Sequence, residues 1–211
     1  LGDVYKRQSL LRYDFTSGTW NAITSSNSAD VPENYISKAI QIEYESNPGT
    51  TSYANYYAPL NPDFQGPEDT LPPLIVKSHG GPTQSAQVGL DYTIQYWTSR
   101  GFAVVDVNYS GSTGYGTAYR DSLKGQWGIL DVKDCIEAAL YLSREGLADQ
   151  NKLCITGGSA GGYTTLAALT FHNIFSAGAS HYGVSDLIAL AKETHKFESR
   201  YLDQLVGPYP S

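Results

Sequence analysis

The stretch that decides the fold is "CITGGSAGGYTTLAAL", residues 154–169, in which four glycines surround Ser159. An apolar run ends at Thr156, and small and apolar residues recur after Ser159 at helical spacing. This order predicts a strand, a sharp turn and a helix, with the serine at the turn. Such a turn is typical of a serine hydroxyl that is exposed for nucleophilic attack.

Residues 157–161 match the pattern G-x-S-x-G, in the strand–turn–helix context that the motif requires. The N-terminus of the helix favours the negative charge that develops during attack. We therefore predict that Ser159 is the nucleophile, that the Ala160 N–H is an oxyanion donor, and that Gly157 and Gly161 support the turn. For the motif alone, the alternative is a glycine-rich turn that binds a phosphate or no ligand.

A second glycine pair lies in "SHGGPT", residues 78–83, directly after the apolar run "PLIVK". A loop after this strand supplies the second oxyanion donor in esterases that carry an HGGG-type motif. We assign that donor to the Gly81 N–H. His79 is interpreted as a structural residue that braces the loop.

Apolar strands alternate with helical patterns from Pro73 onward. The predicted strands are "LIVKSHG", "FAVVDVN", "KLCITG" and residues 175–183. The predicted helices cover residues 86–99, 129–145 and 160–171. This alternation is typical of a parallel sheet covered on both faces, and two antiparallel-looking strands precede it at residues 36–45 and 52–59. The fold class is predicted to be α/β, with an α/β-hydrolase sheet.

The N-terminal part of the chain has a different pattern of apolar and polar residues. "SLLRYDFTSGTWNAITSS" alternates around a Thr16-Ser17-Gly18 turn and predicts a β-hairpin over residues 9–24. Two strands alone are marginal in water, so this hairpin needs a sheet to join.

Residues 3–8 can be written in codons that resemble a transposon end used as a sequencing adapter. We expect residues 1–8 to be an artefact and both chain ends to be cut.

The composition and net charge limit which kinds of partner the chain is expected to bind. The chain has 211 residues, a net charge of −7 and 41% hydrophobic residues, which is typical of a globular domain without nucleic-acid or membrane partners. Cys135 and Cys154 lie in apolar segments and are expected to be buried free thiols, which favours a cytoplasmic setting. No His/Cys cluster has metal-ligand spacing, so no metal or cofactor is expected. The oligomeric state stays open.

Five stretches occur in a fixed order between Pro72 and Gly207: "PPLIVKSHGGPT", "RGFAVVDVNYSGSTGYG", "WGILDVKD", "ITGGSAGGYTTLAAL" and "THKFESRYLDQLVG". Together they resemble the prolyl oligopeptidase family of serine peptidases, in its acylaminoacyl-peptidase and dipeptidyl aminopeptidase branch. The resemblance implies an α/β-hydrolase domain behind a β-propeller that admits only short peptides. Residues 9–34 then correspond to the tail of the last propeller blade and a linker. Residues 35–211 correspond to the N-terminal part of the peptidase domain, with about six of its eight strands.

The resemblance carries Ser159 over as the nucleophile, and Gly81 and Ala160 as oxyanion donors. It also implies that an acid and a histidine follow the serine, and neither of their characteristic turns occurs in residues 160–211. We expect both to be encoded beyond Ser211 and these 211 residues alone to be inactive. The local candidates, each interpreted rather as a capping or surface residue, are His172, His181 and His195, with Asp186 or Glu193.

The function implied is that of a serine peptidase that hydrolyses short peptides or acyl-peptides near the N-terminus through an acyl-enzyme. Two alternatives stay open. One is a carboxylesterase on the same fold, and the other is a non-catalytic binding module.

Overall fold

The fold is organised around a mixed sheet of six strands. The computed structural model describes residues 9–26, 31–193 and 200–208. Its strands are β1 (Ser9–Asp14), β2 (Thr19–Ser25), β3 (Ile40–Asn47), β4 (Thr50–Tyr57), β5 (Leu74–Ser78), β6 (Ala103–Asn108), β7 (Leu153–Gly158) and β8 (Ala177–His181). The six-stranded sheet has the order β3-β4-β6-β5-β7-β8. Strands β3, β4 and β6 pair antiparallel, whereas β6, β5, β7 and β8 run parallel.

Helices cover both faces of this sheet. They are α1 (Tyr92–Thr98), α2 (Thr117–Asp121), α3 (Leu130–Arg144), α4 (Ala160–Phe171), α5 (Leu187–Glu193) and α6 (Tyr201–Leu205). Alternate side chains of β5 point to opposite faces. Leu74 and Val76 join the main core, which includes residues of α3 and α4, whereas Ile75 packs with Ile94 of α1. The α/β-hydrolase prediction is therefore confirmed.

The predicted helix over residues 86–99 is wrong in its first half. Helix α1 begins only at Tyr92, because the Asp91 carboxylate accepts the Thr93 and Ile94 N–H groups and caps the helix there. Residues 79–90 instead form an irregular loop. The helices predicted over residues 129–145 and 160–171 agree with α3 and α4.

The N-terminal hairpin forms as predicted, with β1 paired antiparallel to β2. The Asp14 carboxylate accepts the Thr16 and Ser17 N–H groups and closes the turn. All residues of β2 are exposed, including Trp20 and Ile23, so the hairpin has apolar side chains without a core. Its assignment to a propeller blade stays a prediction. Residues 1–8 lie outside the described part of the chain.

The two cysteines are free thiols, as expected, but only Cys135 is fully buried, and Cys154 is partly accessible. Among the described residues, no helix combines the length and apolar character needed to cross a bilayer.

Candidate active site

Ser159 lies on the turn between β7 and α4. Its backbone has φ 55° and ψ −121°, a region that non-glycine residues rarely adopt. Three backbone hydrogen bonds hold this conformation: the Ser159 N–H donates to the His181 carbonyl at 3.1 Å, and the Ser159 carbonyl accepts the Tyr163 N–H at 3.2 Å and the Val184 N–H at 3.3 Å. The side chain is exposed. The end of β8 and the segment that follows it therefore help to hold the backbone of an exposed serine.

The two supporting glycines allow β5, β7 and α4 to approach closely. A Cβ at Gly161 would lie 2.1 Å from the Ser78 carbonyl oxygen, and one at Gly157 would lie 2.3 Å from the Gly161 carbonyl oxygen. The Ser78 hydroxyl donates to the Gly161 carbonyl at 2.8 Å. The end of β5 is thereby joined directly to the first turn of the nucleophile helix.

The oxyanion loop, residues 79–83, passes beside the serine. A Cβ at Gly80 would lie 3.7 Å from the Ser159 Cβ, and Gly81 adopts φ 128°, which favours glycine. Within the described residues, no backbone acceptor takes the Gly81 or Ala160 N–H, so both groups are open to a ligand. Their assignment as oxyanion donors stays a prediction, and this geometry supports it.

His79 braces the start of the oxyanion loop. Burial lowers the pKa of its imidazole. Nδ1 lies 2.8 Å from the Gly80 carbonyl and donates to it, while Nε2 lies 2.7 Å from the Ser112 hydroxyl. The ring stacks on Tyr109, whose hydroxyl donates to the His79 carbonyl. A histidine held by these partners orients the loop and leaves no ring nitrogen for Ser159.

An ion pair joins the two ends of the irregular segment between β5 and α1. Lys77 Nζ lies 2.9 Å from the Asp106 carboxylate and 3.2 Å from that of Asp91. Desolvation opposes the charge of Lys77, but the two carboxylates outweigh it and raise the pKa of the ammonium. Lys77 immediately precedes Ser78, and Asp91 caps α1, so the irregular segment between them is fixed at its start and at its end.

A small pocket of about 90 Å³ opens next to Ser159. Gly81, Ser159 and Ala160 form one end of it. Its apolar wall consists of Trp127, Val184, Leu190, Leu202 and Leu205. A larger cavity of about 910 Å³ also reaches Ser159, and Lys77, Asp106, His181 and Tyr182 are among its lining residues. The serine and the open N–H groups therefore adjoin an apolar pocket that can receive a side chain.

Residues 88–210, more than half of the chain, match the model of the prolyl oligopeptidase family. The chain belongs to the prolyl oligopeptidase family. The family is one of serine peptidases, as the sequence motifs indicated.

Three family relatives show the extent of the similarity. The chain is similar to a puromycin-hydrolyzing peptidase of Mycobacterium tuberculosis, with 45% identity and a TM-score of 0.92 over 96% of this chain and 31% of that one. It is 30% identical to dipeptidyl aminopeptidase BIII of Pseudoxanthomonas mexicana, over 92% of this chain and 28% of that protein. An acylaminoacyl peptidase of Pyrococcus horikoshii shares 27% identity and a TM-score of 0.73, over 82% of this chain and 27% of that one. The chain thus spans less than a third of each relative.

The candidates for a local base and acid do not pair with the Ser159 hydroxyl within the described residues. His181 ends β8 and contacts Ser159 through its backbone carbonyl. His172 follows the twelve-residue helix α4, and a rise of 1.5 Å per residue places it roughly 18 Å from the turn. Asp186 is occupied as the cap of α5, because its carboxylate accepts the Ile188 and Ala189 N–H groups. His195 and the side chain of Glu193 lie outside the described part.

Asp131 links the pocket wall to the nucleophile helix. Its carboxylate is fully buried and accepts the Gly128 N–H at 2.6 Å and the Thr164 hydroxyl at 2.5 Å. Burial outweighs these hydrogen bonds and raises the pKa of Asp131 to about 6. Trp127 lies next to Gly128, so one buried acid fixes both the pocket wall and the first turns of α4. Within the described residues, no cluster of His, Cys, Asp or Glu is placed to hold a metal ion.

Trp127 and Tyr201 line the small pocket, and neither is among the site residues predicted from the sequence. Leu202 and Leu205, three residues apart on α6, have the spacing of one helix face and were the available signal.

Replacement of Gly161 by alanine is expected to destabilise the fold by about 1–3 kcal/mol or more, because the added methyl group meets the backbone of Ser78 rather than a movable side chain. Gly66→Ala is the matched control, since its new methyl group would meet nothing within 4 Å, and a change within about 0.5 kcal/mol is expected. Urea unfolding followed by tryptophan fluorescence measures both. Equal midpoints for the two variants would show that the turn tolerates a side chain.

Replacement of Asp131 by asparagine is expected to change how stability depends on pH. The pKa of Asp131 is about 6 in the fold and about 4 in an unfolded chain. The folded state therefore binds more protons between these values, and the contribution of Asp131 to stability falls as pH rises from 4 to 6. The loss is on the order of 3 kcal/mol. The asparagine does not ionise, so the variant does not show this loss. Unfolding at pH 4, 5, 6 and 7 should therefore show the stability of Asp131→Asn rising relative to that of the natural chain as pH increases. A constant difference across this range would contradict the raised pKa.

Proposed function

We propose that this chain carries the nucleophile and the oxyanion donors of a serine peptidase that hydrolyses short peptides or acyl-peptides near their N-terminus. One observation carries the proposal: the exposed Ser159 lies on a strained turn and, together with Gly81 and Ala160, lines a pocket with an apolar wall. The names of the three relatives support the substrate class, because a dipeptidyl aminopeptidase, an acylaminoacyl peptidase and a puromycin-hydrolyzing peptidase are among them.

In the proposed reaction, the Ser159 Oγ attacks the substrate carbonyl carbon while a general base takes the hydroxyl proton. The carbonyl oxygen becomes an oxyanion, which accepts hydrogen bonds from the Gly81 and Ala160 N–H groups. The C–N bond then breaks, the leaving amine receives the proton, and an ester to Ser159 remains. Water attacks this ester by the same route and releases the acid and the serine hydroxyl. The apolar pocket favours an apolar side chain on the residue that supplies the carbonyl.

We propose that the general base and its acid partner come from a part of the protein outside these 211 residues. Within the described residues no histidine ring is hydrogen-bonded to the Ser159 hydroxyl, and His79 is bonded to Gly80 and Ser112. The lengths of the relatives also support this view, since the chain covers 31% of the peptidase from Mycobacterium tuberculosis.

The test uses the longest natural reading frame that contains these residues. Its hydrolysis of dipeptidyl and N-acetyl-aminoacyl p-nitroanilides is expected to lose about 10⁴-fold or more in kcat when Ser159 is replaced by alanine. Ser176→Ala is the matched control. It removes an exposed hydroxyl at the amino end of β8, whose partner within the described residues is the Asn151 carbonyl, and activity should stay at the natural level.

Three outcomes would change the proposal. Activity retained by Ser159→Ala would remove the serine from the reaction. Hydrolysis of p-nitrophenyl esters without hydrolysis of the anilides would favour a carboxylesterase. Full activity of the 211 residues alone would show that the base lies within them.

A further inference from the structure

Helix α6 is attached to the site at two points. At its start, the Tyr201 hydroxyl contacts Thr83, accepting the backbone N–H at 3.1 Å and lying 2.5 Å from the hydroxyl oxygen Oγ1. Near its end, the Gln204 carbonyl accepts the Gly125 N–H at 2.9 Å. The first contact reaches the oxyanion loop, and the second reaches the segment that carries Trp127. One short helix therefore touches both the oxyanion loop and the wall of the small pocket.

The contact with Thr83 controls a tight turn. Thr83 is two residues after Gly81, and a Cβ at Gly81 would lie 2.8 Å from the Thr83 nitrogen. The residue after Thr83 is already fixed, because the Gln84 carbonyl accepts the Thr113 N–H at 2.8 Å. On the pocket side, the Tyr201 hydroxyl is the group that holds the Thr83 backbone N–H within the described residues. The Tyr201 hydroxyl therefore holds the end of the same tight turn that contains Gly81.

The position of α6 depends on packing rather than on its own hydrogen bonds. The helix has five residues, which is far below the length at which a helix is stable alone. Leu202 and Leu205 are its buried residues, and both line the small pocket. An apolar substrate side chain in that pocket packs against them and adds buried area that holds α6 in place.

We propose that Tyr201 is a positioning residue that couples occupation of the apolar pocket to the geometry of the Gly81 oxyanion donor. A filled pocket stabilises α6, and α6 holds Thr83 through the Tyr201 hydroxyl. The oxyanion donor is then best placed when a large apolar side chain is bound, so that side chain raises kcat and does not act on binding alone. This inference rests on the proposed peptidase function.

The experiment compares two substrates in the longest natural reading frame: p-nitroanilides with leucine or with glycine at the residue that supplies the carbonyl. Tyr201→Phe keeps the ring and removes the hydroxyl. Misplacing a donor by a fraction of an ångström is expected to lower kcat for the leucine substrate about tenfold. For the glycine substrate, which does not reach Leu202 and Leu205, the loss should stay below about twofold, and KM should change little for either substrate.

Thr83→Val tests the same contact from the other side, in case Tyr201→Phe lowers the amount of folded enzyme. It is expected to lower the leucine-to-glycine ratio of kcat in the same direction, and the double variant should lose less than the product of the two single losses. Tyr141→Phe is the control, since this tyrosine stacks on Tyr44 in the α3 region, away from the pocket, and should leave the ratio unchanged.

Equal losses on both substrates would show that Tyr201 has only a structural role, and no loss on either would show that the contact has no effect. Either result overturns the inference. Ser159→Ala separates this failure from a failure of the proposed function, because an inactive Ser159→Ala together with an unchanged Tyr201→Phe leaves the nucleophile in place.

Discussion

The site depends on one strained residue, the left-handed Ser159, and on the contacts that hold it. Such a conformation costs about 1–3 kcal/mol and persists only where the surroundings determine it. Here the surroundings are three neighbouring strands. His181 at the end of β8 and Val184 after it supply two of the backbone hydrogen bonds, and the end of β5 packs against Gly161 where no side chain would fit. Because these strands are adjacent in the sheet, the position of the nucleophile follows from the sheet order itself.

The same principle explains three titratable groups around the serine, of which Asp131 is fully buried and His79 and Lys77 are partly buried. His79, Lys77 and Asp131 are all within or next to the site, yet each is bonded to partners that leave it no part in proton transfer. His79 directs the oxyanion loop, Lys77 fixes both ends of the segment that contains it, and Asp131 joins the pocket wall to α4. These partners matter because a polar group that is removed from water and has satisfied hydrogen bonds has few alternative positions.

The sequence was most informative where a local pattern decides the structure. Glycines beside Ser159 predicted the turn because close packing there excludes other residues, and continuous apolar runs predicted the parallel strands. Periodicity failed at α1, where the Asp91 side chain rather than apolar spacing sets the start of the helix. The pocket was hidden for another reason: it brings Trp127 against Leu202 and Leu205, more than 70 residues later, and no local pattern records such a contact.

The proposed division of the catalytic machinery also has a physical basis. The proposed nucleophile, Ser159, and the proposed oxyanion donors, Gly81 and Ala160, follow β5 and β7, two strands that pair directly. Backbone N–H donors need that rigid adjacency, since their direction is set by the chain itself. A general base acts through a side chain and needs only to reach the hydroxyl, so it can be carried by an element elsewhere in the sequence. A sequence interpretation can therefore name candidates at Ser159, Gly81 and Ala160 while the base stays open, because only the first three are tied to one local arrangement of strands.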